Sequence, residues 1–282
     1  MSVIEAIILG IIQGLTEFLP ISSTGHLTVA GKIMGLISAE NPEHWTSFIA
    51  VVQIGTLIAI LVYFWSDLWG IFIDFMKENF INRKKMSEQS LNSKMGWYII
   101  LGSIPVVVIG LGFKDFIEGA FTKNLYVIGT SLIVLGLILA VAEKTGKFKK
   151  DLTGITWLDA LLIGIAQSFA LIPGSSRSGT TITMGLFLGF KRETAARFSF
   201  LLSVPAVLGS GLLEFYQSLE FIDTSGLVSL AIATIVSAIS GYLTIAFLLN
   251  FLKKNSTYVF VFYRVAIGAA ILFMIYNGII SA

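Results

Sequence analysis

Two short stretches of this chain place reactive side chains inside otherwise apolar sequence. The first is Gln13-Gly14-Leu15-Thr16-Glu17-Phe18-Leu19-Pro20-Ile21-Ser22-Ser23-Thr24-Gly25-His26. The second is Pro173-Gly174-Ser175-Ser176-Arg177-Ser178-Gly179-Thr180-Thr181. Gln13 and Glu17 are four apart and share one face of a helix. Glu17 lies deep in an apolar run, where an ionisable group is costly unless it is paired and marks a functional site. Ser22 or Ser23 can cap the helix that follows, which leaves the other hydroxyl, Thr24 and His26 beside the break. His26 is three residues after Ser23 and can face the same way. Arg177 cannot lose its proton, and its planar fork suits a phosphate bidentately. Hydroxyls at Ser175, Ser176, Ser178 and Thr181, with a helix N-terminus behind them, complete an oxyanion cradle. Such a set suits phosphoryl transfer, which is mostly positioning plus charge neutralisation. Glu17 is then free to hold a divalent cation that screens the phosphates.

The elements that must position these residues lie in a membrane. The 282 residues are 55% hydrophobic and 13% charged, with a mean hydropathy of +0.86. Trp45 to Trp65, Met95 to Phe113, Asn124 to Ala142 and Thr224 to Leu252 each lack Asp, Glu, Lys and Arg. A bilayer core needs roughly 20 apolar residues per helix, and the alternation of a membrane barrel is missing. The chain is expected to be an all-α polytopic membrane protein. It contains no cysteine, so thiol chemistry is excluded. A net charge of +2 gives no reason to expect nucleic acid. The apolar N-terminus lacks the basic residues and cleavage site of a signal peptide.

Two stretches, Val3 to Leu36 and Ala160 to Phe190, are broken by Pro20 and Pro173 into pieces short for a span. Each is expected to be a re-entrant hairpin of two half-helices whose freed backbone groups are satisfied within protein. Gln13 and Gln167, Ser22 and Ser176, Thr24 and Ser178, and Gly25 and Gly179 pair at one offset of 154 residues. Residues 1–150 and 151–282 thus read as two repeats. Repeat one has its hairpin at 2–36 and spans near 45–65, 95–113 and 124–142. Repeat two has its hairpin at 157–190 and spans near 198–215, 226–250 and 259–280. Three spans after each hairpin put the second repeat upside down relative to the first, an arrangement that sets a site at the midplane. Fourteen Lys and Arg fall on one side and three on the other, so the first side is cytoplasmic by the positive-inside rule. Arg264, about five residues into the last span, is expected to snorkel to the cytoplasmic interface.

The two motifs together resemble the bacterial undecaprenyl-diphosphate phosphatase family, the bacitracin-resistance type, over nearly the whole chain. The resemblance implies hydrolysis of a polyprenyl diphosphate lipid to its monophosphate, recycling a cell-wall lipid carrier in the plasma membrane and giving bacitracin resistance. It also implies a divalent metal (Mg2+ or Ca2+) and a site open to the outer leaflet. The family's (Glu/Gln)-x-x-x-Glu motif falls on Gln13 and Glu17, its histidine on His26, and its Pro-Gly-x-Ser-Arg-Ser-x-x-Thr motif on Pro173 to Thr181. On that reading Glu17, Ser23, His26 and Arg177 are catalytic. Gln13, Ser22, Thr24, Ser175, Ser176, Ser178 and Thr181 contact substrate, and Glu17 is the metal ligand. Ser23 attacks phosphorus, His26 takes its proton, and Arg177 clamps the diphosphate; direct attack by His26, or by water, is the rival. Partners expected are the lipid substrate, the bilayer and at most a second copy of the chain.

The residues alone leave a second class open, a carrier for an anionic lipid, which needs alternating access but no nucleophile. Tags at either terminus are expected to be labelled from outside on intact cells. Exclusively cytoplasmic termini would reverse the orientation.

Overall fold

A computed structural model describes residues 1–37, 42–113, 124–218 and 224–280. The described chain is helical: α1 Val3–Phe18, α2 Ser23–Ile33, α3 Pro42–Tyr63, α4 Trp65–Met76, α5 Leu91–Gly112, α6 Leu125–Thr145, α7 Trp157–Ser168, α8 Arg177–Phe187, α9 Arg192–Ser218, α10 Thr224–Leu252 and α11 Tyr258–Tyr276. Among the described residues the only β-type pairing is a bridge between Lys150 and Phe190. The expected spans near 95–113, 124–142, 226–250 and 259–280 coincide with apolar helices, whereas the one near 45–65 runs across a bend at Phe64. Leu91–Gly112, Leu125–Thr145, Leu227–Leu252 and Tyr258–Tyr276 are long and apolar enough to cross a membrane. A fifth candidate, Phe48–Tyr63 with Trp65–Ile81, is bent by 75°. The chain is therefore a multi-pass membrane protein.

Each proline break ends a helix for the same reason. The residue before a proline is pushed out of the α region, and Leu19 and Ile172 both adopt extended backbone. The helices that restart are matched. α2 and α8 each run 11 residues, or roughly 16 Å, about half of a bilayer core. Ser22 caps α2 by accepting from the Gly25 amide at 3.3 Å, and Ser176 caps α8 by accepting from the Gly179 amide at 3.2 Å. Both caps have positive φ, 76° and 69°, a strained setting for a side-chain-bearing residue. At the far ends Gly35 and Gly189 take positive φ. Each helix then closes with the same two backbone bonds, from Gly35 to Lys32 and Leu36 to Gly31, and from Gly189 to Leu186 and Phe190 to Gly185.

The halves pack by exchange. α1 lies against α10 and α7 against α5, while α3 meets α9 and α6 meets α11. Small residues permit the close approach, as is usual between membrane helices. A Cβ at Gly164 would overlap the Gly102 backbone, and one at Gly14 the backbone of α10 at Gly241 and Ser237. α4 follows α3 across a bend at Phe64. Its outer face holds Trp65 stacked on Trp69, with Phe72 beyond, all exposed. Ion pairs among the described residues join the basic segments: Lys150–Asp159 at 2.5 Å, Lys191–Asp151 at 2.9 Å, Arg197–Asp67 at 2.5 Å, Lys84–Glu78 at 2.8 Å, and Arg192–Glu143.

Replacing Gly164 by Val is expected to lower stability by about 1–3 kcal/mol through overpacking. Gly110→Val, where a Cβ meets nothing within 4 Å, is expected to leave the unfolding temperature nearly unchanged in a detergent melt.

Candidate active site

The turn after α1 and the turn before α8 meet, and Glu17 joins them. Its carboxylate is 7% exposed. Oε1 accepts from Arg177 Nη2 at 2.6 Å. Oε2 accepts from the Ser23 hydroxyl at 2.7 Å and from Gln13 Nε2 at 3.2 Å. The helical spacing of Gln13 and Glu17 sets the last of these contacts. The Ser23 contact exists because Ser22, not Ser23, is occupied in capping α2. The closeness of Glu17 and Arg177, on which the sequence-based mechanism depends, comes from residues 160 positions apart.

Further bonds hold the two turns in register. Ser178 donates to the Leu19 carbonyl at 3.0 Å, and Ser131 donates to the Pro173 carbonyl. Gly174 fits only without a side chain, because its φ is +84° and a Cβ would strike Ser131 and Ile128. Arg264 overturns the expectation placed on it. It is 1% exposed and lies in the interior, not at the cytoplasmic interface. Its Nη1 donates to the Pro20 carbonyl at 3.2 Å, its Nη2 to Ser175 at 2.9 Å and Gly174 at 3.4 Å, and its Nε to Leu132 at 3.2 Å. Two proline breaks strip carbonyls of their helical donors, and in lipid those must be satisfied inside the protein. A guanidinium brings five donors. The signal was present in the sequence: an arginine in an apolar span usually faces the bundle interior.

His26 is placed differently from expectation. Its Nδ1 lies 2.7 Å from the Ser22 carbonyl and its Nε2 2.8 Å from the Tyr263 hydroxyl. A carbonyl only accepts, which assigns the proton of a neutral ring to Nδ1. His26 makes no hydrogen bond to Ser23 or Glu17 among the described residues, and Tyr263, its neighbour, was not singled out from sequence. Thr181 bonds to Ser199 at 2.6 Å and to backbone carbonyls of its own helix. Thr24 is half-buried and makes no side-chain hydrogen bond among the described residues. Ser22, Ser176, Ser178 and Thr181 are thus engaged in building the turns.

What remains is a set of buried polar atoms with no protein partner: Gln13 Oε1, Ser175 Oγ and Arg177 Nη1. Such atoms are rare in native interiors and point to water, an ion or a ligand. For a divalent cation, no group of three His, Cys, Asp or Glu occurs among the described residues. The donor set nevertheless fits a hard ion. Mg2+ is commonly held by one or two carboxylates, with substrate phosphates and water completing its shell. Here Glu17 and the free Gln13 Oε1 are the oxygens offered.

Fold and site together define a class: a multi-pass helical membrane protein with a buried Arg–Glu–Ser constellation between two proline-broken hairpins. Residues 6–270 match the bacitracin resistance protein BacA family, and the chain belongs to that family. It is 59% identical over 277 residues to an undecaprenyl-diphosphatase of Syntrophobacter fumaroxidans, covering 98% of this chain and 99% of that protein. Proteins with the same description from Chloroherpeton thalassium, at 48% identity, and Chlorobium limicola, at 49%, match over the full length of both chains.

Arg264→Met is expected to destabilise the protein by about 3 kcal/mol or more, since it strips several buried carbonyls of their donor at about 1–3 kcal/mol each. A detergent melt reads this directly; an unchanged midpoint would mean that water replaces the guanidinium.

Proposed function

We propose that this protein is a membrane-embedded phosphatase that hydrolyses undecaprenyl diphosphate to undecaprenyl phosphate and inorganic phosphate. It thereby recycles the lipid carrier of cell-wall synthesis in the bacterial plasma membrane and confers bacitracin resistance. The observation that carries the reading is the unpaired Nη1 of Arg177, buried beside a serine hydroxyl already bonded to a carboxylate. One face of the guanidinium is fixed by Glu17, and the other is left for a phosphoryl oxygen. The full-length similarity to undecaprenyl-diphosphatases supplies the lipid.

The chain's own residues then suffice for a two-step transfer. Ser23 attacks the terminal phosphorus while its proton passes to Glu17 Oε2, the oxygen it already faces at 2.7 Å. The bond from that phosphorus to the bridging oxygen breaks, and its electrons leave with undecaprenyl phosphate. Water then cleaves the phosphoserine and releases phosphate. Arg177 Nη1 and the N-terminal amides of α8 balance charge on the equatorial oxygens. Ser175 adds a hydroxyl, while Ser22, Ser176, Ser178 and Thr181 keep the turns in shape and Thr24 borders the first of them. A divalent cation, when bound, screens the diphosphate charge, and Glu17 with Gln13 is what this chain offers it. The rival route, with His26 as base or nucleophile, requires its Nε2 to give up Tyr263.

We read residues 1–150 and 151–282 as inverted repeats, each a re-entrant hairpin and three spans. The matched serine caps, the shared terminal glycine geometry and the exchanged packing of α1 on α10 and α7 on α5 support this. With the charged ends cytoplasmic, both termini and the site face outward. Both hairpins come from one chain, so no second copy is required to complete the site. A carrier would need the clamp but not the Ser23–Glu17 bond.

Purified protein in detergent is expected to release phosphate from undecaprenyl diphosphate. Arg177→Ala should lower kcat by about 10³-fold, equivalent to about 4 kcal/mol of transition-state stabilisation, and Arg177→Lys should fail similarly because a point charge lacks the fork. Ser23→Ala with near-normal turnover eliminates the serine route. Phosphate trapped on Ser23 supports it.

A further inference from the structure

The two half-helices that lead into the breaks carry an amide at the same place, Gln13 on α1 and Gln167 on α7. Gln13 gives its Nε2 proton to Glu17, four residues on. Four residues after Gln167 the chain has Leu171. The second amide therefore lacks the carboxylate that its counterpart uses. It is 1% exposed, and neither its Oε1 nor its Nε2 has a hydrogen-bond partner. A buried amide without partners costs stability, and replacing it by an apolar side chain of similar shape would remove that cost.

On the second hairpin the unpartnered atoms are mainly donors, Gln167 Oε1 being the acceptor among them. Gln167 Nε2, Ser175 Oγ and Arg177 Nη1 can each donate a proton, and all three are buried and unused. On the first hairpin the single such atom is Gln13 Oε1, an acceptor. Buried donors left without partners on one hairpin, one of them a guanidinium, suit an anion. Ser175 and Arg177 follow Gln167 within one hairpin, and Arg177 already faces the first hairpin through Glu17.

We infer that Gln167 is a substrate-binding residue whose amide donates a hydrogen bond to an oxygen of the bound diphosphate, beside Ser175 and Arg177. The inference rests on the phosphatase reading and adds to it a neutral donor outside both sequence motifs. A neutral donor fixes the orientation of the anion without adding a charge that would have to be neutralised when the site is empty.

Gln167→Met keeps the length of the side chain and removes both polar ends. Gln167→Glu keeps the shape and repels an anion. Both are measured as full-length protein in detergent, by thermal unfolding with and without inorganic pyrophosphate and by steady-state hydrolysis of undecaprenyl diphosphate. Without ligand, Gln167→Met is expected to unfold at the wild-type temperature or above it. It should lose most of the stabilisation that pyrophosphate gives wild type, and its KM should rise about tenfold or more, as for a lost hydrogen bond to a charged group. Gln167→Glu should bind pyrophosphate more weakly still. A Met variant that is less stable, with pyrophosphate stabilisation and KM unchanged, overturns the inference and makes Gln167 structural. Failure of both variants to fold also overturns it, because an amide with no protein partner can be removed without loss of fold. If wild type itself neither releases phosphate nor responds to pyrophosphate, the phosphatase reading fails first, independently of Gln167.

Discussion

The structure depends on one buried ion pair, Arg177 with Glu17, made across two turns that the chain places 160 residues apart. Desolvating two charges is expensive, and the mutual attraction offsets it only when the remaining lone pairs and protons are also engaged. Glu17 meets that condition: both of its oxygens accept, from Arg177 on one side and from Ser23 and Gln13 on the other. Arg177 does not, since Nη1 has nothing to donate to. The asymmetry within the pair leaves one buried donor without a protein partner. In the proposed function a phosphate oxygen takes that place, and Glu17 keeps its partners.

Proline sets up the turns and a second arginine holds them. Pro20 and Pro173 end their helices and free backbone carbonyls where no water competes for them. Arg264 takes up carbonyls of both turns at once, and Ser178 and Ser131 each add one more bond between the second turn and its neighbours. The positive φ at Ser22 and Ser176 is tolerated because each serine caps the helix it begins. Most hydroxyls near the site are thus consumed by architecture. Ser175 Oγ is left without a protein partner, while Ser23 is held by Glu17.

The same reasoning separates an enzyme from a carrier on one fold. A carrier must let an anion leave on the far side, so a clamp is enough. A hydroxyl bonded to a carboxylate at 2.7 Å beside a buried guanidinium is more than a clamp alone needs. The helix exchange between the halves, made close by Gly10, Gly14, Gly102 and Gly164, holds the two hairpins against each other.

Much of this was legible in the sequence. Uncharged runs near the length of a bilayer core set the helical membrane class, because lipid permits no other backbone solution for them. Pro20 and Pro173 marked the breaks, and the spacing of Gln13 to Glu17 fixed a contact that one helix makes with itself. The contacts that cross between elements were not legible. Which serine caps and which stays free, that His26 turns to Tyr263, and that Arg264 reaches inward to the turns all depend on where other helices stand. Local spacing determines which side chains share a face. Only the packed bundle decides what that face meets, because a buried polar atom is satisfied by whatever partner tertiary structure brings within three ångströms or so.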